Sequence, residues 1–135
     1  MYNNILVPIS FEEDRDAAGA IEVARTLAGK DGKITLIHVI EDIPGYAITY
    51  VPESYLVESR QAIEAELREM AAGLENGASE VITGHSGRTI VDHADREGVD
   101  CIVIASHRPG MSNLLLGSTA TQVVRHANCA VHVIR

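Results

Sequence analysis

Long apolar runs are missing from this chain. Nothing approaches the roughly 18 consecutive apolar residues a bilayer-spanning helix needs, and no basic region followed by an apolar one opens the sequence. Membrane insertion is therefore not expected, and a cytoplasmic location is. Cysteine is scarce: Cys101 and Cys129 are the only two, too few for a disulfide framework and without metal-ligand spacing, so both are expected to pack as small apolar residues. Positive charge is short as well. Eleven Lys and Arg face nineteen Asp and Glu, a net charge of -8, which repels nucleic acid and anionic membranes and requires any bound phosphate to be held by local groups. No G-x-G-x-x-G follows a strand, which excludes the dinucleotide fingerprint. None of the expected strands ends in Asp, which excludes the phosphoacceptor site of a response regulator. His38, His85, His93, His126 and His132 fall in different segments at no ligand spacing, so zinc is not expected; Asp92, His93 and Asp95 read as a polar helix face. There is no linker or low-complexity tract, and 135 residues suit one domain burying about two thirds of its unfolded surface.

What is present alternates. Apolar, β-prone runs at residues 4–9, 33–40, 80–83, 101–104 and 130–134 read as strands covered on both faces. Between them, Ala17, Ile21, Ala24 and Ala28 make an apolar stripe closed by Gly29, after a first turn loaded with Glu12, Glu13 and Asp14. A second stripe uses Leu56, Ile63, Leu67, Met70 and Leu74 and is expected to stop near Gly77. A short helix at 89–97 ends at Gly98. Residues 41–52 are too rich in proline and aromatic side chains for either element and read as a surface excursion. Strands alternating with helices imply an α/β fold: an open parallel sheet, helices on both faces, in three layers. Ligands in such sheets sit beyond the carboxyl ends of the strands, which selects the loops at residues 8–10, 39–42 and 105–119.

Residues 101–126 carry the strongest site signal. After the strand come small, hydroxyl and cationic side chains, then Leu114, Leu115 and Leu116, then Gly117, Ser118 and Thr119. Ala120, Val123, Val124 and Ala127 follow at helical spacing. Thr119 with Gln122 fits a capping box, so a helix is expected from Ser118 or Thr119 with its first N–H groups unpaired. Free amides, two hydroxyls and a positive helix end suit an anion, phosphate above all. Arg108 is the one cation in this loop, and His107 is favoured for binding over catalysis. Efficient hydrolysis is not expected, because the loops lack a placed carboxylate base; Glu41 and Asp42 are expected to be solvated, and trace ATP hydrolysis is left open.

The strand ending VPIS, the HVIE after the second strand, the segment ASHRPGMSNLLLGSTA and the closing RHANCAVHVIR together resemble the universal stress protein A family over the whole chain, residues 1–135, and most closely its small nucleotide-binding branch. The family's phosphate motif is G-x-x-G, nine residues, then G-[ST]; its second half matches Gly117 and Ser118. Counted without a gap, the two earlier glycines fall on Ile104 and His107, and an acidic position at the end of the first strand is Ser10. The resemblance implies strand order 3-2-1-4-5, a homodimer through the last strand, and a stress-response regulator binding ATP or AMP between strands one and four, with magnesium allowed beside ATP and a protein partner to regulate. It places Pro8, Ile9 and Ser10 on adenine and ribose and Val39 on adenine. Ala105, Ser106, His107 and Arg108 would follow ribose and phosphates, with Gly117, Ser118, Thr119 and Ala120 closing on the phosphates. The alternative is a ligand-free dimeric interaction module in which the altered glycines and Ser10 have ended nucleotide binding. Val131, Val133 and Ile134 support pairing independently, since an apolar edge guarded only by Arg135 aggregates unless covered.

Overall fold

The computed structural model describes residues 1–11, 17–106 and 117–135. Its elements are β1 (Tyr2–Pro8), α1 (Ala17–Leu27), β2 (Ala28–Ile40), α2 (Gly45–Ile48), α3 (Glu53–Ala72), β3 (Gly77–Thr83), α4 (Ser86–Glu97), β4 (Cys101–Ala105), α5 (Ser118–His126) and β5 (Ala130–Ile134). The five strands form one parallel sheet in the order β3-β2-β1-β4-β5. Strand alternation divides the apolar residues between two cores. Ile5, Val7, Leu36, Cys101 and Val103 point to one face and meet Ala20 and Ala24 of α1 and Leu67 and Ala71 of α3. Leu6, Ile37, Ile102 and Ile104 point to the other and meet Ile90 and Ala94 of α4 and Ala120 and Val123 of α5. Because both faces are covered, the central strands are apolar at successive positions, and the result is the expected three-layer α/β/α arrangement.

Several boundaries differ from the sequence reading, each for a reason distant in sequence. β2 starts at Ala28, so Gly29 belongs to a strand; Cβ atoms at Gly29 and Gly32 would lie 3.3 and 2.9 Å from the Tyr2 carbonyl oxygen, a close approach that favours glycine. α3 ends at Ala72, and Leu74 stays buried beyond it. Gly77 opens β3, where a Cβ would stand 2.5 Å from the Ala71 oxygen. The excursion at 41–52 contains the one-turn α2. α4 begins three residues early, at Ser86, and ends as expected at Gly98, whose φ of 68° is left-handed. α5 starts at Ser118, but its N-cap is Gly117 with no side-chain cap bond; the expected capping box does not form because Thr119 is the second residue of the helix and not its cap, and its hydroxyl meets Ser86. His93 is also no part of a polar face: it is 4% exposed, on the buried side of α4. Glu12, Glu13 and Asp14 lie outside the described residues.

Candidate functional site

β1 and β4 are paired only at Ile5↔Cys101 and Leu6↔Ile102. On their outer sides, pairing runs on: β1 stays with β2 to Pro8↔Ile37, and β4 with β5 to Ala105↔Ile134. The two strands therefore part at their carboxyl ends, at the point where the strand order reverses, and the gap between them is a crevice. Its cavity measures about 490 Å3, within the range of about 300–1,000 Å3 usual for small-molecule sites. The end of β1 supplies Pro8, Ile9, Ser10 and Phe11, and the end of β2 supplies residues 37–41. Ala17 and Ala20 come from α1, Ser86 and Ile90 from α4, Ile104 and Ala105 from β4, and Thr119 from α5. The side chains of the described residues do not fill it.

Local bonds hold the rim. Ile9 N–H donates to the Ile37 carbonyl (2.7 Å) and carries the β1–β2 ladder one residue past Pro8, which has no N–H of its own. The Ile9 carbonyl is 2.8 Å from His38 Nδ1. A carbonyl only accepts, so Nδ1 donates in this bond. Phe11 leans on that ring at 5.0 Å between centroids. Two helices start at the crevice, and their first turns are joined: Ser86 Oγ and Thr119 Oγ1 are 2.8 Å apart. Their amino ends are not equivalent. Ser86 N–H donates to Glu41 Oε1 at 3.2 Å, so a carboxylate already sits at the start of α4, where it is favoured by the helix dipole. At α5, Gly117 N–H donates to the Ser106 carbonyl (3.0 Å), and the amides of Ser118, Thr119 and Ala120 belong to the first turn, which has no intrahelical acceptor.

Of the residues expected at the site, Pro8, Ile9, Ser10, Val39, Ala105 and Thr119 line the cavity. Ser106, Gly117, Ser118 and Ala120 adjoin it: Ser106 is buried beneath the rim, Gly117 and Ser118 form the start of α5, and Ala120 packs into the core. His107 and Arg108 lie outside the described residues. Sequence reasoning missed His38, Phe11, Ser86 and Ile90, and left Glu41 to solvent. Glu41 is exposed but bonded, and among the described residues it is the one carboxylate on the cavity wall. The signal for Ser86 was the helix start, which had been set three residues late.

A parallel 3-2-1-4-5 sheet with a crevice between β1 and β4 defines an open-sheet, doubly wound α/β domain with its candidate site at the carboxyl ends of the strands. The chain belongs to the universal stress protein family, whose family model matches residues 1–135. It is 33% identical to universal stress protein A homolog 2 of Coxiella burnetii, covering 99% of this chain and 95% of that one. Among solved structures, universal stress protein UspA from Lactobacillus plantarum superposes with a TM-score of 0.77 at 28% identity, covering 99% and 98% of the two chains. More distantly, a universal stress protein family protein from Arabidopsis thaliana with AMP bound shares the fold (TM-score 0.66, 21% identity, 98% and 90% covered). Universal stress proteins in complex with cAMP and with dAMP share the fold at a similar distance.

Proposed function

We propose that this chain is a regulatory protein that binds an adenine nucleotide, ATP or AMP, in the crevice between β1 and β4, and that it acts in the cytoplasm as a homodimer toward a protein partner in the stress response. The observation that carries the reading is the parting of β1 and β4 after two paired residues, which leaves a cavity of about 490 Å3 beside the start of α5. Pro8, Ile9, Val39 and Ala105 offer an apolar seat for a purine, and Ser10 a hydroxyl for ribose. Glu41 fills the start of α4, so the phosphates go to Ser118, Thr119 and Ala120 at the start of α5, where free amides and the helix dipole attract anions. His107 and Arg108 belong to the same proposal. The nucleotides held by the family's solved members favour this class of ligand.

Binding, and not turnover, suits the wall. Its one carboxylate among the described residues is held by Ser86 N–H at the start of α4, so no described acidic side chain is left free on the wall to serve as a base for water. No three His, Cys, Asp or Glu among the described residues gather to hold a metal, so magnesium arriving with ATP would be carried by the phosphates. Dimerisation is assigned to β5, an edge strand whose Val131, Val133 and Ile134 are only half-buried. Sedimentation should give a dimer that Val131→Asp converts to monomer; a monomeric parent protein would remove this part of the proposal.

Two variants locate the nucleotide. Ser10→Asp should tighten ATP binding through a charge-assisted bond to ribose, and Gly117→Leu should weaken it by crowding the phosphates. Unchanged affinity in both would place the nucleotide elsewhere.

A further inference from the structure

The chain has five aromatic residues, four Tyr and one Phe, and three of them stand in solvent on one short segment. Tyr46, Tyr50 and Tyr55 are 83, 86 and 62% exposed, and Ile48 and Val57 are 54 and 49% exposed. Among the described residues, Met1 and Val124 are the other large apolar side chains left so open. Each tyrosine carries about 150–250 Å2 of surface, so the segment exposes several hundred Å2, the extent at which apolar patches mark partner sites.

The segment is held in shape. Ala47 N–H donates to the Pro44 carbonyl (2.9 Å), Tyr50 N–H to Ala47 (3.0 Å) and Tyr55 N–H to Pro52 (3.1 Å). Pro44 and Pro52, at the N-caps of α2 and α3, fix the backbone further. Docking on such a surface loses little ordering entropy. Its charge has one sign. Residues 34–59 contain Glu41, Asp42, Glu53 and Glu58 and no Lys or Arg. The next cation, Arg60, donates to the Val81 carbonyl (2.7 Å) and pairs with Glu64 (3.3 Å), so it is engaged at β3.

This chemistry selects the occupant. A second copy docked patch to patch would bring the same carboxylates against their counterparts with no cation from this segment between them, an arrangement that disfavours pairing. The segment connects β2 to β3, at the side of the sheet away from β5, so a dimer through β5 leaves it uncovered. We propose that Tyr46, Ile48, Tyr50, Tyr55 and Val57 form the docking surface for a positively charged, amphipathic segment of another protein. Apolar side chains of that segment meet the tyrosines; its Lys or Arg meets Asp42, Glu53 and Glu58, with Arg also able to stack on tyrosine faces. The inference stands independently of nucleotide binding.

The protein lacks tryptophan, so a probe peptide can carry the signal. An amphipathic leucine–lysine helix with one tryptophan should bind the full chain, with its emission shifted to the blue, and the leucine–glutamate counterpart should not. Tyr46→Ser with Tyr50→Ser, and separately Glu53→Gln with Glu58→Gln, should each weaken binding about tenfold or more, while Val124→Ser on α5 leaves it unchanged. Circular dichroism checks that the variants stay folded. Failure of the lysine peptide to bind, or binding by both double variants as tight as by the parent chain, overturns the proposal. So does self-association of the parent chain that the tyrosine variant abolishes, which would make a second copy the occupant.

Discussion

His93 and Cys101 set opposite pH limits on stability. Burial, and then the Arg96 guanidinium, lower the His93 pKa from its ordinary 6.5, so the folded chain keeps this ring neutral. Below 6.5 the unfolded chain takes up the proton first, and the stability that neutral His93 contributes is lost as pH falls toward the lowered value. Burial, and then nearby Cys129, raise the Cys101 thiol from 9.0 to about 11. Above 9 the unfolded thiol ionises first, and stability is lost as pH rises toward about 11. Urea midpoints measured across pH should therefore peak between 6.5 and 9; His93→Gln should flatten the acid limb. A parent profile that keeps rising below 6.5 would contradict the burial assigned to His93. Gly87 carries a different constraint. A Cβ there would fall on the Gln122 side chain, with Gln122 Cβ at 2.7 Å and Cδ at 2.9 Å, and the inner carbon cannot swing away. Gly87→Ala should destabilise by about 1–3 kcal/mol, read from the same denaturant curves. Unaltered stability would mean that α4 and α5 can separate at no cost.

At the scale of elements, the site depends on how two helices begin. Ser86 and Thr119 are 33 residues apart and share one hydrogen bond of 2.8 Å. A double-mutant cycle with Ser86→Ala and Thr119→Val should give a coupling of about 0.5–1.5 kcal/mol; additivity would show that the bond does not tie the helices together in solution. This contact also shows where sequence reading reaches its limit. Thr119 and Gln122 have the spacing of a capping box, yet the hydroxyl serves a residue of another helix and Gly117 takes the cap position. Spacing reports which local bonds are available, and tertiary packing selects among them. Gly29 misled for the same reason: glycine after an apolar stripe suits a helix end, but here it admits the Tyr2 carbonyl beside β2. Where local chemistry had no distant competitor, the reading held, as for Gly98 beyond α4 and for β5 at 130–134.

The whole molecule was more legible than its site. Five apolar runs separated by helical stripes leave few ways to bury every face, and a parallel sheet covered on both sides is the one that suits strands without polar alternation. Which strand reverses the order cannot be derived from any run by itself; it came with the resemblance carried by VPIS, HVIE and LLGS. The crevice follows from that order, since β1 and β4 are held by different neighbours and part beyond Leu6 and Ile102. Half of the expected site residues line it: Pro8, Ile9, Ser10, Val39 and Ala105 because they lie at or just past strand ends, whose position the order determines, and Thr119 because the first turn of α5 reaches the crevice. His38 and Ser86 were missed, and Glu41 was read as solvated without its bond to Ser86, because these contacts depend on packing between α1, α4 and the end of β2. The central claim is that this opening is a nucleotide seat, and calorimetric titration of the purified chain with ATP and with AMP tests it most directly. Saturable binding of at least one, with Kd at or below about 1 mM, near 4 kcal/mol, is the expected result; no heat of binding from either at several millimolar would contradict it.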